Sequence, residues 1–492
     1  MSFNDLDADI LMLIATQLQQ DEPRIARYAT LSRPWLSVVE ALTFRHLRVD
    51  SDDRLHQASH HLTPDRTLAL RSLDVTIHLS QYGPWQWREL ELESEQAINN
   101  QIFSNSLMSL FDMINSWSTH AVSDSPISES SSSSSARGSR PRFTLEIQAI
   151  CQSDYYHMDP LEAARRRRCT RVLDCVMTRQ ESTYLDLVHQ LPPLPAVSDL
   201  IIHGGAPRVF QEIHPRYISP QAALRIVEAC SLADSIELHL TDRNSKHLTL
   251  RNFEREACAR GLGSVPKSVT HLQLHYPGVV PQNQFWKPPL IPAVNGKDFF
   301  TVVSHDLFQL TSSMTHWPKL RNLHVDFDIV TPNGGWMIER DSEELEHEEP
   351  DSDEDGDYLV MWSWEERDVH ELPARFDYPR IFFRSACNCD AFDGVHLAIA
   401  KAIPRMPNLR TLRSSVDQGT AGCVCTYTHD GRENHKVLWR SCSTTTYEPS
   451  PEVMAEWKKA VAQRSGQLEI QVVSKDDPAA SDLVAGIRWP QF

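Results

Sequence analysis

A short frame recurs along this chain and limits what it can fold into. Pro195-Ala196-Val197-Ser198-Asp199-Leu200, Pro318-Lys319-Leu320-Arg321-Asn322-Leu323 and Pro407-Asn408-Leu409-Arg410-Thr411-Leu412 share the pattern P-x-[LV]-x-x-L. Pro266-Lys267-Ser268-Val269-Thr270-His271-Leu272 is the same with one residue added. Proline cannot sit inside a helix, and apolar residues at period two mark a half-buried strand. Each frame therefore reads as a Pro-led loop feeding a short strand. Leu200, Ile236 and Leu272 lie 36 residues apart, and later intervals stretch to 51 and 89.

Helical patterns fill the gaps. A strand over 70–77 precedes a helix over 99–117, in which Phe103, Leu107, Leu110, Ile114 and Trp117 form one stripe. The pair recurs as strand 143–150, helix 160–178, strand 197–203, helix 220–230 and strand 235–240. Such alternation predicts an α/β fold. It resembles a degenerate leucine-rich repeat array, in which alternating Leu residues point short strands into a shared core. The resemblance implies an irregular α/β solenoid, or horseshoe, over residues 51–492 with long loop insertions. A non-repetitive α/β domain whose strands follow Pro loops is the other reading.

The first 50 residues read differently, as three short helices. Ile10, Leu13, Ile14 and Leu18 fall on one helical face, with Asp7 as N-cap. Ile25, Tyr28 and Ala29 mark a second helix. Ser32-Arg33-Pro34 opens a third, carrying Trp35, Val38, Val39 and Leu42, because Pro fits a first turn. Phe44 and Leu47 follow in an extended exit. Three helices this small bury little surface alone. The run Leu6-x-x-Asp9-Ile10-Leu11-x-x-Ile14-x-x-x-Leu18, then Ile25-x-x-Tyr28-Ala29-x-x-Ser32-Arg33-x-Trp35, then Leu42-x-Phe44, resembles an F-box over residues 6–47. Asp7 stands where that family usually has Pro, and Pro34 where it often has a basic or polar residue. A capping bundle of the larger domain is the alternative. F-box plus irregular repeats resembles a combination found in filamentous-fungal proteins.

The F-box resemblance implies an adaptor, with no catalytic residue or cofactor of its own. Residues 6–47 would bind a Skp1-like protein, with Leu6, Ile10, Leu11, Ile14, Leu18 and Trp35 divided between that contact and the helices' own core. Skp1 would connect the chain to a cullin-based ubiquitin ligase, and the repeat-like domain would hold an unknown substrate protein, with the loops 278–298 and 333–390 lining its surface. A Skp1-bound scaffold that recruits no cullin is the alternative, and Asp7 lends it weight.

Charge and composition exclude several other classes. The formal charge is −18, but residues 339–357 hold twelve acids against one Arg (Arg340), so the remainder carries about −7. Nucleic-acid binding, which needs a concentrated basic surface, is disfavoured. No apolar run approaches the roughly 18–20 residues that span a bilayer. Acids occupy the start of the chain where a signal peptide needs Lys or Arg, so a cytoplasmic or nuclear location is expected. Residues 123–142, Ser-rich, and 339–357, acidic, hold too few apolar groups to fold and are expected to be solvated, disordered loops. Ser125-Pro126 could accept phosphate, as any exposed Ser-Pro could.

Candidate sites are few. Cys387, Cys389, Cys423 and Cys425, with His429, His435 and Cys442, could form a zinc site, but structural zinc favours C-x2–4-C knuckles over C-x-C. A hairpin of 423–428 and 436–442 around Asp430-Gly431, with Cys425, Tyr427, Val437 and Trp439 as packing residues, is the preferred reading. The basic run 165–168 reads as the solvated face of a helix rather than a localisation signal. His60, His61 and the other histidines fall on no recognisable ligand helix. No G-x-S-x-G, P-loop, H-E-x-x-H or G-x-G-x-x-G motif is present, so an enzyme would need residues scattered in sequence.

Overall fold

The computed structural model describes residues 6–21, 24–50, 52–83, 86, 91–123, 142–156, 184–204, 215–241, 257–258, 260–275, 317–327, 337–340, 384–417, 422–431, 434–441 and 447–473. It is a mixed α/β structure in which strand order follows the chain. The helical start comprises α1 (Ala8–Asp21), a 3-10 turn (Ile25–Thr30) and α2 (Arg33–Thr43). Strand β1 (His46–Val49), α3 (Asp52–His61), α4 (Pro64–Ala69), β2 (Ser72–His78), α5 (Glu93–Ser123), β3 (Phe143–Ile150) and α6 (Ser153–Tyr156) follow. Next come β4 (Val197–His203), α7 (Pro220–Ala229), β5 (Ser235–His239), β6 (His271–His275), β7 (Asn322–Phe327), β8 (Ile338–Arg340) and β9 (Arg384–Cys387). The chain continues through α8 (Cys389–Ala402), β10 (Thr411–Asp417), β11 (Gly422–His429), β12 (Asn434–Ser441), α9 (Pro451–Ala462) and β13 (Gln467–Val473).

Among the described residues, β1 to β7 and β10 to β13 form one sheet in that order, while β8 and β9 pair separately. The pairs from β1 to β7, and β7 with β10, are parallel. Within this sheet the β10–β11 and β11–β12 pairs are antiparallel, before β13 returns to parallel. The sheet stays open, with β1 and β13 at its edges.

Register makes the recurring frame intelligible. Leu73, Leu145, Leu200, Ile236, Leu272, Leu323 and Leu412 stand side by side across seven strands. A second row, Val75, Ile147, Ile202, Leu238, Leu274 and Val325, lies two residues on. All are buried in one core that α5, α7, α8 and α9 join through Phe103, Leu107, Leu224, Val227, Phe392, Val395, Val453 and Trp457. The residue before each strand continues the ladder: Asp234 N–H donates to Ser198 O, Thr270 N–H to Asp234 O, Arg321 N–H to Thr270 O, and Arg410 N–H to Arg321 O. The third residue of the Pro frame is buried as well, as Val197, Leu320 and Leu409 show.

Several expected bounds shift. Helix α5 begins at Glu93 rather than 99, because Glu95 accepts the Leu92 N–H at 2.9 Å and acids favour a first turn. It runs to Ser123, so the expected Ser-rich loop starts at the end of a helix, and residues 339–340 of the expected acidic loop belong to β8. Residues 124–141 and 341–357 of those two loops, the helix over 160–178 with its basic run, and loop 278–298 lie outside the described residues. The C-terminal hairpin forms as expected, with Gly431 at φ +81° in its turn.

A buried ion group ties the third strand's exit to the segment before α5. Arg216 Nε lies 2.9 Å from Asp154, and its Nη1 3.5 Å from Glu91, all with side chains 3% exposed. Charges this deep persist only when paired.

Truncating a member of the apolar rows removes burial and leaves a cavity. Leu272→Ala is expected to lower unfolding free energy by about 2–5 kcal/mol. His271→Ala, on the opposite face of the same strand and exposed, should change it by less than about 0.5 kcal/mol; denaturant titration of both variants measures the difference.

Candidate functional site

Two regions present side chains that the fold does not consume: the outer face of the N-terminal helices, and the polar face of the sheet. The helices carry their own core, separate from that of the sheet, built from Leu11, Ala15, Ile25, Trp35, Val38, Val39 and Leu42. Asp7 caps α1, accepting the Asp9 N–H at 3.1 Å, and Ser32 caps α2 through the Trp35 N–H. The stripe on α2 is the one its spacing predicts. On α1 the inward stripe is Leu11, Ile14, Ala15 and Leu18 rather than Ile10, Leu13, Ile14 and Leu18. That helix is apolar on two sides, and contact with Trp35, Val38 and Leu42 selects one of them.

The six expected docking residues therefore separate. Leu11 and Trp35 are core residues, 0% and 3% exposed. Leu6, Ile14 and Leu18 pack partly against that core, and Ile10 is 46% exposed. Leu13, expected on the inward stripe, is exposed, and so are Leu31 and Leu36 of the same unit, which sequence did not single out.

On the sheet, residues of the opposite parity to the apolar rows stand on the other face. Near the strands' C-terminal ends, Thr76, Gln148, His203, His239, His275, Asp326 and Ser415 form one register row. The adjacent row holds Asp74, Glu146, Ile201, Glu237, Gln273, His324 and Arg413. Strands spaced about 4.8 Å apart bring in-register rings into contact. His203 and His239 stack at 4.9 Å, His239 and His275 at 4.6 Å, and His275 meets His324 edge-on at 5.4 Å.

Carboxylates anchor these rings. Glu146 lies 2.9 Å from His203 Nε2, Glu237 2.5 Å from His239 Nε2, and Asp326 Oδ1 3.0 Å from His324 Nε2. Asp326 Oδ2 also meets His275 Nδ1, Ser415 donates to Asp326, and Gln273 contacts His275 Nε2. Burial would raise the Asp326 carboxyl, but the hydrogen bonds from His275 and His324 outweigh it and hold it far below the usual range. The His239 bond lowers the Glu237 carboxyl. His239 itself is lowered by burial, against the pull of Glu237. Two groups of three bring potential ligand atoms within 4.8 Å of one another: Glu237, His239 and His275, and His275, His324 and Asp326.

These histidines are not scattered. Ile202-His203, Leu238-His239 and Leu274-His275 repeat at the same 36-residue interval as the core leucines, and Val325-Asp326 substitutes an acid in the fourth strand. The interval and the parity together could have revealed them; a search for ligand helices could not.

The four cysteines go elsewhere. Cys423 and Cys425 share a face of β11 and are buried among Tyr427, Val437 and Trp439. Burial pushes the Cys425 thiol up, which disfavours the thiolate a metal requires. Cys387 is buried and Cys389 exposed. None belongs to a three-ligand group among the described residues. Around them the polar groups bond each other. The His396 ring sits 2.9 Å from the Tyr447 hydroxyl, which donates to Asp393 at 2.6 Å, and Arg464 donates to the Tyr427 hydroxyl at 2.8 Å. No helix among the described residues is long and apolar enough to cross a membrane.

A family model described as a family of unknown function (DUF6546) matches residues 385–485. That stretch holds α8, β10 to β12, α9 and β13, including the antiparallel part of the sheet and the His396 network. No curated protein and no solved structure matches the chain.

Burial lowers His396 to about 3 and keeps it neutral in the folded protein. The unfolded chain binds the extra proton below its ordinary value of 6.5, so the neutral ring's contribution is complete above 6.5 and is lost as pH falls toward 3. Thermal melts between pH 7.5 and 4.5 should show a shallower loss of stability for His396→Asn than for wild type. The difference in slope should be about 1.4 kcal/mol per pH unit below 6.5.

Proposed function

We propose that the chain is the substrate-recognition adaptor of an SCF-type ubiquitin ligase and is itself not an enzyme. In this reading residues 6–47 are an F-box that binds a Skp1-like protein, a cullin joins through Skp1, and the sheet domain is a degenerate leucine-rich-repeat horseshoe that holds an as yet unknown target protein.

The observation that carries the reading is the N-terminal helical unit. It has a core of its own, yet leaves Ile10, Leu13, Leu31 and Leu36 between 41% and 72% exposed. A unit this small gains stability by covering such a face with a partner. The run of residues matching the F-box pattern supplies the identity of that partner. The link to the sheet is short: α2 passes directly into β1, Arg66 bonds Glu40 at 2.6 Å, and the Arg66 guanidinium lies 4.7 Å from the Phe44 ring centroid. Such a connection holds a docked partner at a set distance from the sheet. The sequential parallel order and the polar rows support the horseshoe reading, because a repeat array presents one strand face as a continuous surface.

Asp7 favours a second reading, a Skp1-bound scaffold that recruits no cullin. The carboxylate is already engaged with the Asp9 N–H, in place of the Pro that the family uses for partner contact.

The informative substitution is at the surface, since changing Leu11 would unfold the helices. Ile10→Asp with Leu13→Asp should leave the circular dichroism and melting temperature near wild type. It should weaken capture of a Skp1-type protein by at least about 30-fold, two anchors at roughly 1 kcal/mol or more each. Unchanged capture by the folded variant would refute the F-box assignment. Cullin in the same pull-down separates ligase from scaffold.

A further inference from the structure

We propose that His275, His324 and Asp326 form a binding site for a divalent transition metal, with zinc the best match, on the polar face of the sheet. The proposal is independent of the adaptor reading and concerns a different region of the molecule.

The ligand set is the first argument. Two imidazoles and a carboxylate are the donors that zinc and similar borderline ions take, whereas calcium and magnesium select oxygens alone. The arrangement is the second. His275 comes from β6, and His324 and Asp326 are two residues apart on β7, so parallel register delivers all three to one face. Their ligand atoms already converge within 4.8 Å. A tetrahedral ion with bonds of about 2.0–2.1 Å needs donors roughly 3.4 Å apart. Only small side-chain rotations are required, since the strands supply fixed backbone positions.

Asp326 now sits between the two rings, accepting from both. That is how a ligand cluster satisfies itself without an ion. Metal entry would replace those hydrogen bonds by coordination, with each neutral ring turning a lone pair inward. The surrounding contacts resemble those that orient ligands in metal sites: Ser415 on Asp326, and Gln273 on the far nitrogen of His275. Side-chain exposures of 17% for His275 and 29% for His324 and Asp326 leave the cluster reachable. Glu237 and His239, on the next strand, form a second group through the shared His275, and the Glu237 carboxylate adds negative charge. Arg413 stands in register with His324.

Three donors leave a fourth position for water or for a donor from a bound molecule. The thiols provide a ready control, because Cys389 is exposed and lies on a different element.

The test uses the full chain, stripped with chelator and titrated with zinc in competition with a chromophoric chelator. One equivalent should bind. Asp326→Asn and His275→Ala should each lower affinity by about 100-fold or more, and Ser415→Ala by about 10- to 100-fold, as expected when a ligand's supporting partner is lost. Cys389→Ser should bind like wild type. Zinc should raise the melting temperature of wild type but not of Asp326→Asn. Cobalt substituted into the wild-type chain should give visible d–d bands without sulfur-to-metal charge transfer, a readout that needs no variant to fold. The proposal is overturned if wild type binds no equivalent, if folded Asp326→Asn binds as tightly as wild type, or if the cobalt spectrum shows thiolate ligation.

Discussion

Strands β1 to β7 and β10 pair in parallel with almost no slip, so a residue's parity within its strand decides whether it meets the helices or the opposite surface. A one-residue shift in any strand would exchange its two faces. The single irregularity among these pairs, a bulge where Phe143 pairs with Val197 and Thr144 with Asp199, adds one residue to β4, so that Val197 and Leu200, three apart, are both buried. Two apolar rows result, and they make the register self-enforcing. Moving β6 by one residue would bury His271, Gln273 and His275 and expose Leu272 and Leu274. At about 1.5–3 kcal/mol per buried aliphatic side chain, the native register wins by a wide margin.

The polar rows are the other consequence of that constraint. Nothing about His203, His239 and His275 individually requires them to meet; each is a polar residue on the face away from the helices. Because their strands are adjacent and in register, three rings stack and the acids beside them become hydrogen-bonding partners. The same geometry that secures the core therefore creates a concentrated set of titratable groups near the strands' C-terminal ends. Chemistry here comes from repetition rather than from a local motif.

At its two ends the chain departs from this pattern. The N-terminal helices form a separate core and turn Ile10, Leu13, Leu31 and Leu36 outward. The C-terminal part replaces a crossover by the β11–β12 hairpin. It buries a polar network among aromatic side chains, where Trp439 and Trp457 meet edge-on at 6.0 Å. The family model covers this end and not the parallel strands before β9.

Much of this was legible in sequence for a physical reason. Period-two alternation and helical spacing need only local information, so the strands at 143, 197 and 235, the α2 stripe and the C-terminal hairpin could be read directly. Helix α1 could not be oriented the same way: it is apolar on two sides, and only contact with Trp35 and Val38 decides that Leu11 goes inward and Ile10 outward. Cys425, by contrast, was legible as a packing residue of that hairpin, and it is fully buried there. Most of all, the histidine row depended on tertiary structure. Its 36-residue interval was present in the amino-acid order, but an interval has no chemistry until strand pairing converts a distance along the chain into one of about 5 Å between rings.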